Sequence, residues 1–380
     1  MANKEIVPTT IFSAQEKVWN QLRQIALSEK LGSAYLFSGP AGCGKEAIAI
    51  QFAKLLNCES GAKDICENCP SCMRITNLQH EKLNLVFPLP APKKKEETGI
   101  DGLNHKDLDL VNEAIKKKSQ DPFYKIRVPK ATRILIQSIR DLRKSLYLKS
   151  NSIGRKMVLV FDAHLLCAGQ GEAANAFLKL LEEPPKDTTL ILVTDHVELL
   201  LPTIISRCQR IGFSRLDDIY IENWFKTKMV RSGDIPLLIG LSRGNLYSAQ
   251  FFISQSLEKL IGLVDDLIRS INQDDPEKWR KFIQEYSKMA KQDIEKFSLH
   301  FMLLKIWYQS ANRFQKNIED PLHNTPLKKG IERCVQAYGT ADFSAIGFEL
   351  EDTVRAIAKN LYMPLVLVNL LLHIQKHLRS

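Results

Sequence analysis

The chain has 380 residues, of which 44% are hydrophobic and 25% are charged. This length allows about two or three domains, with enough buried surface to fold without disulfide bonds. The net charge of +10 excludes an acidic, solvating chain and permits contact with nucleic acid without requiring it. The N-terminal residues lack the apolar run of an export signal, and the most apolar stretch, 361–374, is shorter than the ~20 residues of a membrane span. We therefore expect a cytoplasmic protein.

The first 215 residues alternate short apolar runs with amphipathic stretches. Three apolar runs predict buried strands, at 34–38, 156–162 and 189–194. Two periodic stretches predict helices, at 46–56 and 173–183. Buried strands that alternate with helices are typical of a parallel sheet covered on both faces. The region therefore predicts an α/β domain.

A polar stretch, 88–130, interrupts this alternation. It contains prolines, two runs of three lysines and one short helical pattern near 108–115. We interpret it as a largely surface insertion. Its lysine runs are more typical of a solvated loop than of a loop that contacts DNA or a partner.

The strand pattern stops near residue 216. The stretch 216–254 predicts short helices around Arg243-Gly244. Longer periodic stretches follow, at 257–271, 276–289, 293–314 and 349–378. They predict a separate helical bundle.

The segment Gly39-Pro-Ala-Gly42-Cys-Gly44-Lys45 fits the phosphate-loop pattern G-x-x-x-x-G-K between a predicted strand and a predicted helix. Its glycines allow backbone N–H groups to surround a phosphate, and Lys45 would reach the outer phosphates. A serine or threonine that helps to hold Mg²⁺ usually follows, but here the residue is Glu46. Its carboxylate would repel the β- and γ-phosphates unless it recruits a metal ion itself. The loop fold is therefore expected, whereas binding of ATP and Mg²⁺ is in doubt.

Asp162 ends a predicted buried strand and could hold Mg²⁺ through water. Motor ATPases of this architecture carry a glutamate directly afterwards, which acts as the base for the attacking water. The corresponding residue here is Ala163, which cannot accept a proton, and we expect His164 to point elsewhere. We therefore expect no independent hydrolysis of ATP.

Four of the eight cysteines lie close together in the sequence: Cys58, Cys66, Cys69 and Cys72. Tetrahedral zinc is held by such tight pairs of thiolates, and four protein ligands make a structural site rather than a catalytic one. The cluster therefore favours a zinc module at about 57–75. An iron–sulfur cluster and four unliganded thiols are the alternatives, although the ferredoxin order of cysteines is absent.

Several segments occur in an order that resembles a known family: 33–45 with the phosphate loop, the four-cysteine module, 173–185 ending in Glu-Glu-Pro-Pro, and 200–209 with Ser-Arg-Cys. The chain resembles the AAA+ clamp-loader subunits of bacterial DNA polymerase III over about 5–87 and 131–250. The resemblance implies a RecA-like AAA+ domain over 1–215, a small helical lid over 216–255 and an all-α collar for oligomerisation over 256–380.

The resemblance also implies a role in DNA replication. Members form a hetero-pentamer of motor subunits (gamma/tau-like), a delta-like subunit and a non-hydrolysing member, and load the sliding clamp onto primed DNA. The residues at the positions of the family's nucleotide site are Gly39, Gly42, Gly44, Lys45, Glu46, Asp162 and Thr194, of which Glu46 departs from the motif and Thr194 lies near the polar sensor. Arg207 matches the arginine finger that reaches a neighbouring subunit's ATP site. A guanidinium suits that role because its fixed charge stabilises the charge of phosphoryl transfer.

Three departures from the active members point the same way. Glu46 and Ala163 replace residues of the motor, and Tyr247 stands where the lid of active members carries an arginine. The expected chain keeps the fold and Arg207 but has lost its own hydrolysis. An active gamma/tau-like ATPase and an unrelated zinc-containing DNA-binding or repair protein are the alternatives.

Overall fold

The computed structural model of the chain describes residues 11–28, 31–61, 64–91, 103–147, 154–358 and 361–379. The fold divides into two compact units, residues 1–217 with 244–247 and residues 218–243 with 248–380. The first lysine run of the predicted insertion, 93–95, lies outside the described residues.

A five-stranded sheet forms the centre of the first unit, with the order β2-β3-β4-β1-β5 and every pair parallel. Its strands are β1 (Ala34–Ser38), β2 (Leu83–Val86), β3 (Lys156–Val160), β4 (Thr188–Thr194) and β5 (Gln209–Gly212). The predicted parallel α/β sheet is therefore confirmed. The two strands that the apolar pattern did not predict, β2 and β5, are the edge strands, where a continuous apolar run is not required because one side is less covered.

Helices supply the remaining layers of the first unit. They are α1 (Glu16–Leu27), α2 (Lys45–Asn57), α3 (Pro70–Thr76), α4 (His105–Gln120), α5 (Ile136–Tyr147), α6 (Glu172–Glu182) and α7 (Pro202–Ile205). Leu36 and Val158 of the sheet belong to one buried cluster with Phe177 of α6. Tyr35, the residue before Leu36 in β1, packs its ring edge-on against Phe52 of α2 with centroids 5.9 Å apart. Side chains alternate between faces along a strand, so helices cover the sheet on both sides.

The predicted surface insertion, 88–130, is exposed or half-buried over most of its described part, but several of its residues are buried. Helix α4 is twice as long as the predicted pattern, and it buries Val111, Ala114 and Lys118. Phe123 and Ile126, which follow the helix, are also buried. Local charge suggested a solvated loop, but Lys118 is fully buried because it finds a carboxylate partner elsewhere in the chain.

Helices alone form the second unit over its described residues. The helices from residue 218 onward are α8 (Asp218–Thr227), α9 (Ile235–Ser242), α10 (Leu246–Ile253), α11 (Leu257–Asn272), α12 (Pro276–Gln292), α13 (Ile294–Gln315), α14 (Lys328–Ala337), α15 (Phe343–Ala358) and α16 (Met363–Leu378). The periodic stretch 349–378 contains two separate helices, α15 and α16. Pro364 lies in the first turn of α16, where its missing N–H is tolerated, whereas inside a continuous helix it would remove a hydrogen bond. No helix in the described part of the chain is both long and apolar enough to cross a membrane.

A buried histidine makes the second unit sensitive to pH. His300 is 6% exposed, and its Nδ1 lies 2.6 Å from the Tyr286 hydroxyl. Burial, with a smaller contribution from Lys296, lowers the pKa of His300 to about 4 against the opposing effect of Asp293. Below the ordinary pKa of about 6.5 the unfolded chain binds a proton that the folded chain refuses, so stability is lost as pH falls from about 6.5 toward 4.

We expect this one group to contribute up to about 3 kcal/mol to the loss of stability across that window. Urea unfolding of wild type and of His300→Gln at several pH values between 4 and 7 measures the effect. The variant should show a shallower dependence on pH. Equal slopes for the two proteins would contradict the assignment.

Candidate nucleotide site and candidate metal centre

The predicted phosphate loop lies between β1 and α2. Gly42 and Gly44 have φ angles of 67° and 91°, in the left-handed region that favours glycine. A Cβ at Gly42 would lie 1.9 Å from the side-chain oxygen of Asn245, so close packing also requires glycine there. The Gly42 carbonyl accepts a hydrogen bond from the Leu246 N–H, 3.1 Å away. The loop thus has phosphate-loop geometry but is closely packed by the segment 244–247.

Lys45 of the loop is held by the chain itself. Its ammonium donates to the carbonyls of Gly39 and Pro40 at 2.9 and 2.6 Å. It also lies 2.5 Å from a carboxylate oxygen of Asp195, which follows β4 directly. The Lys45 side chain is only 4% exposed. The positive charge that would reach an outer phosphate is therefore already paired.

Glu46 also has an internal partner. Its carboxylate forms an ion pair with the Lys118 ammonium, and the two side chains are 7% and 0% exposed. The Lys118 ammonium further lies 5.2 Å from the centroid of the Phe161 ring. Glu46 is thus neutralised by α4, which comes from the insertion.

Asp162 faces another lysine of the insertion. The Lys125 ammonium lies 2.8 Å from Asp162 and 3.5 Å from Asp195. Burial alone would lower the pKa of Lys125, but Asp162, Asp195 and Glu46 together raise it above its usual range. Burial would likewise raise the pKa of Asp195, yet Lys125 and Lys45 hold it below its usual range.

Thr194 and Tyr247 also lie beside the charged residues at the phosphate loop. The Thr194 hydroxyl lies 3.0 Å from His164 Nδ1 and accepts a hydrogen bond from the His196 N–H. His164 therefore points toward the end of β4, contrary to expectation, and burial lowers its pKa to about 4. The Tyr247 ring centroid lies 5.7 Å from the Lys125 ammonium.

These residues do not fit a bound Mg²⁺–nucleotide. The three lysines (Lys45, Lys118 and Lys125) and the three acids (Glu46, Asp162 and Asp195) balance in formal charge without a ligand. Divalent cations prefer free carboxylate oxygens, and the phosphates of a nucleotide need unpaired cations. In this arrangement both kinds of group are already paired within the first unit.

The sequence predicted that Lys45, Glu46, Asp162 and Thr194 belong to one site. It did not predict three further charged residues of that site, which are Asp195, Lys118 and Lys125. Asp195 could have been found, because it directly follows a predicted strand whose other polar end residue, Thr194, was already singled out. Lys118 and Lys125 carry no such signal. They look like ordinary members of a lysine-rich stretch.

Arg207 lies in another part of the first unit, in the turn between α7 and β5. Its guanidinium donates to the Thr203 carbonyl and to Glu182 of α6, both at 2.9 Å. The side chains of Arg207 and Glu182 are 37% and 48% exposed. Arg207 is thus a surface side chain in an exposed ion pair.

The four clustered cysteines form the candidate metal centre. Their sulfurs all lie within 4.8 Å of one another, and those of Cys66 and Cys72 are 3.9 Å apart. A tetrahedral ion with metal–sulfur bonds of about 2.3 Å separates its sulfurs by about 3.8 Å, so the spacing fits a four-thiolate metal site. Cys58 follows α2, whereas Cys69 caps α3 and Cys72 lies within its first turn. An ion here would join the end of one helix to the start of another.

Hydrogen bonds around the cysteines favour thiolate. The Cys69 N–H donates to the Cys66 sulfur and the Cys72 N–H to the Cys69 sulfur, at 3.3 and 3.4 Å. Hydrogen bonds from the Ser60 hydroxyl and from two backbone N–H groups lower the pKa of Cys66 to about 6. Burial raises the pKa of Cys72, so this thiol needs a cation to ionise. The donor set is therefore suited to a metal ion.

Comparison with known proteins places these features in a family. A sequence profile described as "DNA polymerase III, delta subunit" matches residues 14–217. The chain is 32% identical over 209 residues to DNA polymerase III subunit delta' of Bacillus subtilis, which covers 55% of this chain and 50% of that protein. It is 30% identical over 199 residues to subunit delta' of Pseudomonas aeruginosa, covering 52% and 47%.

A further relative is DNA polymerase III subunit tau of Bacillus subtilis, 28% identical over 250 residues, or 64% of this chain and 36% of that protein. The chain thus spans half or less of the length of these relatives. The profile match nevertheless covers more than half of the chain, including the phosphate loop, the cysteine cluster and Arg207. The chain therefore belongs to the family described as DNA polymerase III, delta subunit.

Proposed function

We propose that the chain acts as a delta-prime-like subunit of the DNA polymerase III clamp loader. In this role it helps to load the sliding clamp onto primed DNA and donates Arg207 to a neighbouring subunit's ATP site, without hydrolysing ATP itself. The observation that carries the proposal is the contrast between the two sites. The phosphate loop is closed by the chain's own charges, whereas the Arg207 guanidinium lies at the surface.

The exposed pair of Arg207 with Glu182 is compatible with a role in trans. Exposed ion pairs contribute only about 0–1 kcal/mol, so a more strongly charged partner can displace Glu182 at little cost. The phosphates of ATP at a subunit interface are such a partner. A guanidinium placed there stabilises the negative charge that spreads during phosphoryl transfer.

The partners that follow from this proposal are gamma/tau-like motor subunits and a delta-like subunit in a hetero-pentamer. The helices of residues 256–380 would supply the oligomerising collar, and residues 216–255 the lid. The sliding clamp and primed DNA complete the assembly, and the net charge of +10 suits contact with DNA through the complex.

We further propose that the cysteine cluster holds a structural zinc ion. Cys58, Cys66, Cys69 and Cys72 would fill all four tetrahedral positions, so no position remains for water or substrate. The zinc ion would link the end of α2 to the start of α3 and would take no part in catalysis. The Lys54 ammonium, 2.7 Å from Glu67, already ties the loop between two of the cysteines to α2.

The proposal predicts that the isolated chain releases no phosphate from ATP, because Ala163 cannot act as a base and Lys45 is paired. Motor subunits assembled with this chain, clamp and primed DNA should release phosphate at least about tenfold faster than the same subunits without it, given that an arginine finger is worth about 10³–10⁵ at its own site. Steady-state phosphate release measures both quantities. Turnover by the chain alone would instead identify an active ATPase.

A further inference from the structure

We infer that residues 105–128, named here the plug segment, are a permanent occupant of the degenerate nucleotide site. Lys125 takes the position of the divalent cation, and Lys118 neutralises the acidic residue that replaces the usual hydroxyl. The inference rests on the proposed function in one respect, namely that the phosphate loop does not serve ATP hydrolysis in this chain. It adds the identity of what fills the site, which is a part of the same chain.

Lys125 lies where phosphate-loop enzymes hold their divalent cation. In phosphate-loop enzymes an aspartate near the end of a buried strand helps to hold Mg²⁺. Here Asp162 has that place after β3, and the Lys125 ammonium lies 2.8 Å from it and 3.5 Å from Asp195. The three side chains are between 15% and 18% exposed, so water screens them poorly. The Lys125 ammonium thus pairs with Asp162 and, together with Lys45, with Asp195, so neither carboxylate is left to attract a metal ion.

Lys118 is fully buried beside Glu46. A fully buried ammonium is stable only beside a negative charge, and the Glu46 carboxylate supplies that charge. Glu46 is therefore no metal ligand in this fold. Its role is to anchor the plug segment next to the phosphate loop.

The chain between the two lysines is fixed by local structure. The Asp121 side chain accepts a hydrogen bond from the Phe123 N–H, and its carbonyl accepts one from the Tyr124 N–H. This turn leads the chain from the end of α4 to Lys125. The Phe123 ring packs against the phosphate loop, where a Cβ at Gly44 would lie 3.3 Å from it. The plug segment is therefore held by apolar packing as well as by charge.

Two variants of the full chain test the inference. Lys125→Ala leaves Asp162 without its ammonium and Asp195 with Lys45 alone, so we expect the melting temperature to fall by roughly 5–10 °C. The same variant should gain a binding site for Mn²⁺, detected by electron paramagnetic resonance, and millimolar Mn²⁺ should restore at least about half of the lost melting temperature. Lys125→Gln removes the charge but keeps most of the side-chain length, and it replaces Lys125→Ala if the latter does not fold. Wild type should show neither Mn²⁺ binding nor a shift with Mg²⁺ and ATP.

Lys117→Ala is the matched control. Lys117 lies beside Lys118 in sequence, is 50% exposed and pairs with Glu113 on the surface of α4. Its removal causes the same change in net charge, and we expect a shift of the melting temperature below about 2 °C. The inference is overturned if Lys125→Ala behaves like Lys117→Ala, or if wild type binds Mn²⁺ or is stabilised by Mg²⁺ and ATP. Such a failure would leave the role of Arg207 in a complex intact, because that role is measured on a neighbour's turnover.

Discussion

Replacing Arg207 with alanine should lower ATP turnover of the reconstituted clamp loader by about tenfold or more, because an arginine finger supplied in trans is worth about 10³–10⁵ at its own site. Only the site that receives the finger is affected directly, so the loss across the whole assembly is smaller than at that site. The measurement is phosphate release in the presence of clamp and primed DNA. Assembly should stay unchanged, since the substitution removes no more than one exposed ion pair from the fold.

Two further variants separate a finger from a surface side chain. Arg210→Ala removes the same charge from the exposed strand β5, and we expect turnover within about twofold of wild type. Glu182→Gln frees the guanidinium from its intramolecular partner and should leave turnover unchanged or slightly higher. If Arg207→Ala and Arg210→Ala give the same turnover as wild type, the chain does not act as a finger donor.

The second large effect is expected at the cysteine cluster. Purified protein should contain one equivalent of zinc, and Cys72→Ser should lose it together with several kcal/mol of stability, because the metal-binding energy of a structural zinc site is folding energy. Cys72 is fully buried at the start of α3, so the loss removes the link between that helix and α2. Metal content by mass spectrometry and thermal unfolding measure the two losses.

Cys167→Ser provides the control for the cysteine variant. Cys167 is a half-buried free cysteine outside the cluster, and its replacement should keep the zinc and cost less than about 1.5 kcal/mol. A strong chelator should reproduce the loss of stability in wild type and leave Cys72→Ser unaffected. Iron and acid-labile sulfide in place of zinc, or wild type without bound metal, would contradict the proposal.

The sequence predicted those parts of the fold that depend on local pattern. Continuous apolar runs identified β1, β3 and β4, whereas β2 and β5 escaped because edge strands carry mixed residues. Apolar periodicity did not locate the boundary between α15 and α16, because the periodic pattern continues along 349–378 and only Pro364 marks the start of the second helix.

The candidate site was predictable only where its residues are close in sequence. The phosphate loop and the cysteine cluster each lie within a short segment, and the structure brings the four sulfurs together. The plug segment was not predictable, because Lys118 and Glu46 are 72 positions apart and Lys125 and Asp162 are 37 apart. Pairing over such distances depends on the folded chain, and the local composition around both lysines indicates a solvated loop.

The ion pair of Glu46 with Lys118 has an evolutionary consequence. A single substitution of Glu46 by serine would bring back the residue type of an active phosphate loop, but it would leave a fully buried ammonium without a partner, at a cost of about 3–5 kcal/mol. Replacing Lys118 first would leave the carboxylate unpaired in the same way. Because typical domains are stable by only about 5–15 kcal/mol, each intermediate would lose a large share of its stability. In a lineage that acquired both residues, a return to hydrolysis one mutation at a time would therefore pass through destabilised intermediates.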